Sequence, residues 1–529
     1  MPTMATDATE LCSEYKDAGA LGRIPAHWHA RQLGRLASPR RIESLRTGCS
    51  GRIPPEGLGC LRYVMGVTYT AQRERRSSVF GGVARVVSGS GVSGACEEAR
   101  PLAVDLFSGA GGMSLGVEQA GFDIAAAVEY DPIHAAIHEL NFPYSSVVCG
   151  DLAELCGDSI RSAAGIAGRQ VDMVFGGPPC QGFSLIGHRV LNDPRNSLVF
   201  HFLRIVRELQ PRAFVLENVP GMATGGHASL LNELIDCFGE AGYRVRLPFR
   251  VVNAGWYGVP QDRRRLLLLG SRKDVALPQY PSPTTRLRGA RSNGSGEMFS
   301  ELPYCPTVAD AIRDLPDIED IESLLSDDTA RVRLGAGSAY SLVLRGDCPD
   351  ARDFSYGRIR DSEVLTGCRR ARHTPLSRSR FAATTPGTTE KVSRFYRLEW
   401  DGVSNTLRSG TGSERGAFTA PRPIHPQYAR CISVREAARL HSYPDWFRFH
   451  ATIWHGFRQI GNSVPPLMAR AIAESVRTAL GLEPNAPTQT VRLGPDEFAR
   501  FNMTQAAAHF GVGSRVIPPR KRLAETTRE

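Results

Sequence analysis

The chain has 529 residues, 42% of them hydrophobic and 22% charged, which is ample material for buried cores; a disordered or fibrous protein is excluded, and a globular one of roughly two to four ordinary domains is expected. Its formal net charge of +10 favours a polyanionic partner, although the preference for arginine over lysine fits a GC-rich coding sequence equally well. The 12 cysteines form no Cys-x-x-Cys pair or zinc-spaced cluster, and neither a signal-peptide core nor a membrane-length apolar run is present, so a metal-free, reduced, cytosolic protein is expected.

Residues 1–100 are rich in Gly, Ser, Arg and Pro, as in VVSGSGVSGACEEARP, and predict a disordered or loosely folded basic extension. A true beginning at Met65 is an open alternative. From Pro101 short apolar runs alternate with helical patterns. The runs LAVDLF (102–107), DIAAAVE (123–129), VDMVFGG (171–177), AFVLEN (213–218), RVRLPFRVV (244–252) and RLLLLG (265–270) read as strands buried on both faces. In NSLVFHFLRIVRELQP, Leu198, Phe202, Ile205 and Leu209 recur at helical spacing. Strands alternating with such helices predict a parallel, doubly wound α/β sheet over 101–275. Residues 276–425 break the rhythm with Pro, Gly, Ser and Arg and read as a separate loop-rich domain. Regular texture returns over 426–483, where Leu467, Ile472 and Val476 mark a helix able to pack back on the sheet, and 484–529 reads as a polar, basic tail.

The chemistry concentrates where strands should end. Asp105-Leu106-Phe107-Ser108-Gly109-Ala110-Gly111-Gly112 follows the first strand, and glycines there let backbone amides approach a ligand at the sheet's carboxyl edge. The spacing is not Gly-x-Gly-x-x-Gly, which weighs against a nicotinamide dinucleotide. Glu129 ends the second strand where an acid accepts ribose hydroxyls, although a surface carboxylate is the plainer reading. Asp151 follows the next strand, placed for an adenine amino group. Cys180 lies in GGPPCQGFS (176–184), flanked by Pro and Gly rather than by packing residues. A thiol so presented is a candidate nucleophile given a lowered pKa or a nearby base. AFVLEN delivers Glu217 to the same rim.

Five stretches, DLFSGAGG, GGPPCQGFS, ENV (217–219), QDRRR (261–265) and QIGNSVP (459–465), stand in the order seen in cytosine-5 DNA methyltransferases, and the chain resembles that family over roughly 101–483. The resemblance implies a doubly wound Rossmann-like α/β sheet of the S-adenosylmethionine-dependent methyltransferase kind, with a smaller loop-rich target-recognition domain over 276–425. It implies that Cys180 adds to cytosine C6, that Glu217 acts at N3, and that Arg265, with Arg263, clamps the cytosine O2 and the catalytic loop. A solvated basic run is the alternative for QDRRR. For the cofactor S-adenosyl-L-methionine it implies Gly109 and Gly111 in the loop, Phe107 on the adenine, Glu129 on the ribose, Asp151 on the amino group, and Tyr130 and Leu152 flanking the base. Pro179, Leu198 and Asn462 would line the rest, with a helix-core role for Leu198 equally open.

The resemblance further implies double-stranded DNA as partner, a flipped-out target base, and closure over it of the segment Gln181 to Arg195, hinged at Gly182 and Gly187. TLRSGTGSERGAF (406–418) would be the recognition loop, with a plain surface loop as the alternative. A bacterial restriction-modification setting, with a cognate endonuclease cutting the same site, a monomeric enzyme, and a cytoplasmic, nucleoid-associated location complete the expectation. Two rivals stand beside it. A transfer-RNA cytosine methyltransferase on the same fold lacks support, since no Cys-Phe-Thr stretch is present. A catalytically silent DNA-binding protein has no use for Cys180, Glu217 and Arg265 together.

Overall fold

The computed structural model describes residues 99–179, 197–225, 227–288, 300–410 and 422–514. The expected N-terminal extension lies outside them except for its last two residues.

β1 (Leu102–Leu106), β2 (Asp123–Glu129), β4 (Met173–Gly176) and β5 (Ala213–Asn218) form where short apolar runs predict them, and β3 (Ser146–Cys149) is the strand expected ahead of Asp151. They are parallel and ordered β3-β2-β1-β4-β5, with crossovers through α1 (Gly112–Gln119), α2 (Pro132–Asn141), α3 (Gly157–Ala164) and α4 (Ser197–Leu209). Leu106 stands level with both Val128 and Gly176, and Gly176 with Leu216, so four strands end at one height. Only a glycine allows the approach of β4 to β1 there, because a Cβ on Gly176 would collide with the Leu106 carbonyl oxygen.

After α5 (His227–Glu240) the sheet departs from the all-parallel expectation. The run over 244–252, read as one strand, divides into β6 (Tyr243–Val245) and β7 (Arg250–Asn253), and Pro248, which has no N–H for a ladder, lies in the break. After the two-residue β8 (Gln261–Asp262), both pair antiparallel with β9 (Arg264–Arg272), which itself pairs antiparallel with β5. The connection from β7 to β9 is short and carries no crossover helix, which leaves antiparallel pairing as its geometry.

Alternation along the strands divides the core. Leu102, Val104 and Leu106 face a cluster with Phe202, Leu209, Leu231 and Phe238 of α4 and α5. Ala103, Met173, Phe175 and Val215 face the other, made with Val117 of α1 and with Met468, Ile472 and Val476 of the late helix α11 (Pro466–Ala479). The C-terminal helix thus packs back on the sheet as its pattern predicts, against the backbone at Gly116.

Residues 300–410 are loop-rich as read, with α6 (Val308–Ile312), α7 (Ala339–Arg345) and α8 (Pro375–Ala383) and the short strands β10 (Ala330–Arg331), β11 (Gly357–Ile359), β12 (Val364–Leu365) and β13 (Ser404–Asn405). Ile318, Leu324, Ala330, Leu365 and Cys368 form a small core of their own, and a larger one is shared. Val308, Leu398 and Leu407 share one cluster with Leu115 of α1, Phe142, and residues of α9 (Val434–Leu440) and α10 (Ile453–Asn462). The segment read as a polar tail also contributes structure: β14 (Thr490–Arg492) pairs with β11, and Phe498 and Ala499, ahead of α12 (Met503–Phe510), pack on Ala136, Ile137 and Leu140 of α2. Apolar residues are sparse there, so the pattern gave no helical signal.

A buried ion pair ties α1 to the loop-rich part. Arg358 meets both oxygens of Glu118 at 2.9 and 3.1 Å, with side chains 1% and 0% exposed, and its guanidinium lies 4.7 Å from the Trp446 ring centroid. Removing one partner strands a buried charge. Arg358→Met is therefore expected to lower the free energy of unfolding by about 3–5 kcal/mol, measured by chemical denaturation, and a loss under about 1 kcal/mol, the ceiling for exposed pairs, would refute that account.

Candidate active site

The carboxyl rim of the sheet carries two groups of residues. On one side, β1 runs into the glycine loop through Phe107, a non-glycine residue held at φ +65°. Backbone held in that region is strained for a side-chain-bearing residue, and such positions gather at binding sites. Gly109, at φ +56°, has open space where a Cβ would stand, whereas Gly111, at φ +97°, would drive one into the Phe142 ring. Glu129, at the end of β2, lies under this loop: one carboxylate oxygen accepts the Gly109 N–H at 2.7 Å and the other the Asp131 N–H at 2.8 Å. Burial raises its pKa above the usual range, against the opposing pull of His134 and of these amides. Each oxygen keeps lone-pair capacity for a ligand hydroxyl.

The remaining members of this group come from β3, α4 and the α10–α11 junction. Asp151 accepts the Ala153 N–H at 2.9 Å, and the carbonyl of buried Leu152 accepts from Arg204 at 2.6 Å. The Gly150 N–H donates to the Glu129 carbonyl at 2.9 Å, so the β3 turn is joined to the end of β2. Tyr130 is 48% exposed, an aromatic face without cover. Leu198 is half-buried in the first turn of α4. Asn462 is exposed at the end of α10, and its neighbours Ser463 and Val464 press on Gly112, 2.8 and 2.7 Å from where a Cβ would be, which brings it beside the loop. Pro179 is exposed beyond β4. An open glycine loop over an anchored carboxylate, with Phe107 and Tyr130 beside it and the buried Ser108 hydroxyl lacking a partner among the described residues, fits a nucleoside.

The second group gathers where β4, β5 and β9 meet. Glu217 and Arg265 form an ion pair at 2.6 Å, their side chains 11% and 12% exposed. Gly177 lies directly against it, because a Cβ there would stand 2.6 Å from the other carboxylate oxygen of Glu217. Asn218 donates to the Pro178 carbonyl at 3.4 Å and thereby holds the Pro-Pro turn to the end of β5. Cys180 is two residues further along and lies outside the described residues, as do Gln181 to Arg195 and residues 411–418 of the expected recognition loop.

Arg263, expected with Arg265 at the cytosine O2 and the catalytic loop, is 0% exposed, and among the described residues its guanidinium donates to the carbonyls of Leu407, Gly461 and Ser463, each at 2.8 Å. Burial and the neighbouring Arg265 push its pKa well below the usual arginine value. QDRRR is therefore not a uniformly solvated run either: alternation along the strand buries Arg263, exposes Arg264 and turns Arg265 to Glu217. Arg263 is a positioning residue that clasps the base of the 411–421 segment to the end of α10.

Gln261 and His441 belong to the same clasp and were missed. The Gln261 amide donates to the Leu440 carbonyl at 3.2 Å and meets His441 Nδ1 at 3.0 Å, while its oxygen accepts the Leu407 N–H at 3.2 Å. His441 Nε2 lies 3.2 Å from the Ser463 carbonyl, and burial, then Arg263, pushes its pKa well down, so the ring is neutral with Nε2–H donating. Gln261 stood inside a quoted motif and was findable; nothing in the sequence around His441 marks it.

The profile of the C-5 cytosine-specific DNA methylases matches residues 103–478. The Type II methyltransferase M.XorII of Xanthomonas oryzae pv. oryzae is 53% identical over 423 residues, 80% of this chain and 95% of that protein. The Type II methyltransferase M1.HphI of Haemophilus parahaemolyticus is 34% identical over 376 residues, 70% of this chain and 86% of its own length. Among solved structures, a prophage-encoded E. coli protein described as a DNA modification methyltransferase superposes with a TM-score of 0.57 at 34% identity, covering 72% of this chain and 99% of that one.

Replacing Arg263 by Met takes this donor from the buried Leu407 and Gly461 carbonyls and leaves the Ser463 carbonyl with His441 alone. A loss of more than about 2 kcal/mol in unfolding free energy is expected, against less than about 0.5 kcal/mol for exposed Arg264→Met; equal losses in parallel denaturation curves would show that the clasp does not matter.

Proposed function

The chain belongs to the C-5 cytosine-specific DNA methylase family, and on that premise we propose that it methylates cytosine C5 in duplex DNA through a covalent adduct of Cys180 with an extruded base. The observation that supports this most is the Glu217–Arg265 pair held against Gly177, three residues before Cys180, because thiol and carboxylate then issue from neighbouring strand ends.

Cytosine C5 is too weak a nucleophile to take a methyl group unaided. Addition of the Cys180 sulfur to C6 forms the Sγ–C6 bond and moves the C5–C6 electron pair into the ring, which makes C5 enamine-like. Glu217, at N3, stabilises that electron density, and Arg265, whose guanidinium already holds Glu217, donates to O2. Once C5 carries the methyl group, a base takes the C5 proton, the Sγ–C6 bond breaks, and the double bond returns. S-adenosylmethionine, when bound, supplies the electrophilic methyl carbon. Phe107 and Tyr130 would hold its adenine, Asp151 the amino group and Glu129 the ribose, while Gly109, Gly111, Leu152, Pro179, Leu198 and Asn462 would border the pocket.

The Type II relatives support a role in restriction-modification, in which methylation shields the host's DNA from an endonuclease that cuts the same sequence. Among the described residues no helix is long and apolar enough to cross a membrane. Work on host DNA places the enzyme in the cytoplasm at the nucleoid.

With labelled cofactor, label is expected in duplex DNA and not in transfer RNA; label in RNA alone defeats the proposal. Cys180→Ala should abolish transfer while DNA binding persists, and Glu217→Gln should lower kcat by about a hundredfold or more. A duplex containing 5-fluorocytosine should trap a denaturation-resistant adduct with the wild type and none with Cys180→Ala, since fluorine cannot leave C5 as a proton. Retained turnover by Cys180→Ala would remove the nucleophile assignment.

A further inference from the structure

Outside the two groups above, the rim carries a cationic feature that the chemistry has not used. Tyr304 is 44% exposed, and two guanidiniums lie over its ring, Arg286 at 4.2 Å and Arg288 at 4.5 Å from the centroid. Neither has a carboxylate partner among the described residues, and the buried Arg286 Nε has no acceptor there. Both charges share one ring, so they stand closer than about 10 Å, the Debye length at 0.1 M salt, and they repel each other. An anion between them relieves that repulsion and satisfies the unused donors.

The backbone holds this feature in place and sets where it faces. Arg286 N–H donates to the Pro303 carbonyl at 2.9 Å and the Arg286 carbonyl accepts from Cys305 N–H at 2.8 Å, so the two sides of the feature are bridged. Thr284 and Thr285 N–H groups donate to the Trp256 carbonyl at 2.8 and 3.0 Å, the Thr285 hydroxyl donates to the Gly255 carbonyl at 2.7 Å, and Leu287 packs on Gly255. Gly255 and Trp256 belong to the turn that follows β7, whose last residues pair with Arg264 and Arg265 of β9. The two arginines are thereby anchored at the same sheet edge as the Glu217–Arg265 pair.

Resting on the reading that duplex DNA is the substrate, we propose that Arg286 and Arg288, held over Tyr304, bind a backbone phosphate of the DNA that flanks the target base. A phosphate suits the feature because guanidinium forks bind its oxygens in pairs, and the aromatic ring restricts the forks before binding. The contact carries no sequence information of its own; it sets the register of the duplex on the rim.

The test is binding of the full chain to fluorescein-labelled duplexes of several unrelated sequences, read by anisotropy across a salt series, with methylation kinetics alongside. The double variant Arg286→Gln with Arg288→Gln should raise Kd about tenfold on every sequence at 0.1 M salt and lessen the salt slope by about 1 to 2, the loss in turnover falling on KM rather than kcat. Tyr304→Leu should give part of that loss. Unchanged Kd and slope, while the wild type still methylates DNA, overturn the proposal and leave the function standing, as does a loss confined to one sequence, which would mean base contact. A wild type that neither binds nor methylates duplex DNA overturns the reading beneath it. Should the double variant melt early, Arg288→Gln, at an exposed position, carries the same comparison with about half the effect.

Discussion

The ion pair between Glu217 and Arg265 is the constraint from which the rest of the rim can be understood. It joins two strands that run in opposite directions, so it forms only because β9 enters the sheet antiparallel beside β5, with Leu267 level with Glu217 and Leu266 with Asn218. That registry turns Arg265 toward the carboxylate. On the other flank, parallel β4 ends level with β5 and offers a glycine where any side chain would displace the carboxylate. An acid approached from both sides by neighbouring strands has little room to move, which is the preorganisation that stabilising a developing charge requires.

Burial divides the arginines of this protein into two physical kinds. Arg430 and Arg439 are as buried as Arg263, but Glu436 partners the first and Asp314 and Asp445 the second, and their pKa values rise despite desolvation. Among the described residues Arg263 has only carbonyl dipoles within hydrogen-bond reach, with Arg265 beside it, and its pKa falls. A guanidinium is tolerated there because its planar fork reaches three peptide groups from two distant segments at once. The same fork, with Gln261 and His441, ties the chain just before 411 to the end of α10.

Much of this was legible in advance where local pattern and local chemistry coincide. β1, β2, β4 and β5 lie within a residue or two of their apolar runs, because strands covered by helices on both faces need unbroken hydrophobic stretches. α4 and α11 follow their spacing for the same reason. Glu217 and Glu129 could be placed at strand ends from sequence alone, since a polar residue closing such a run has only the rim to occupy. The division of 244–252 was missed although Pro248 marks it, because the run is apolar on both sides of the proline and the two strands separate visibly only in their pairing with two parts of β9. Nor was the structure within 484–514, where a few side chains such as Phe498 fill a gap left by α2 and most residues stay polar.

The sequence by itself determined the chemical inventory and its order along the chain: a cysteine behind two prolines, an acid after an apolar run, glycines after the first strand, and the strand and helix periods that bring the acid and the glycines to one edge. Tertiary structure alone decided which of three consecutive arginines meets the acid, which is buried and which faces solvent, and which residues 140 or more positions away they touch. The reason is range. Period and turn chemistry act over a few residues, whereas the fate of a charge depends on what the rest of the folded chain places within about 4 Å of it.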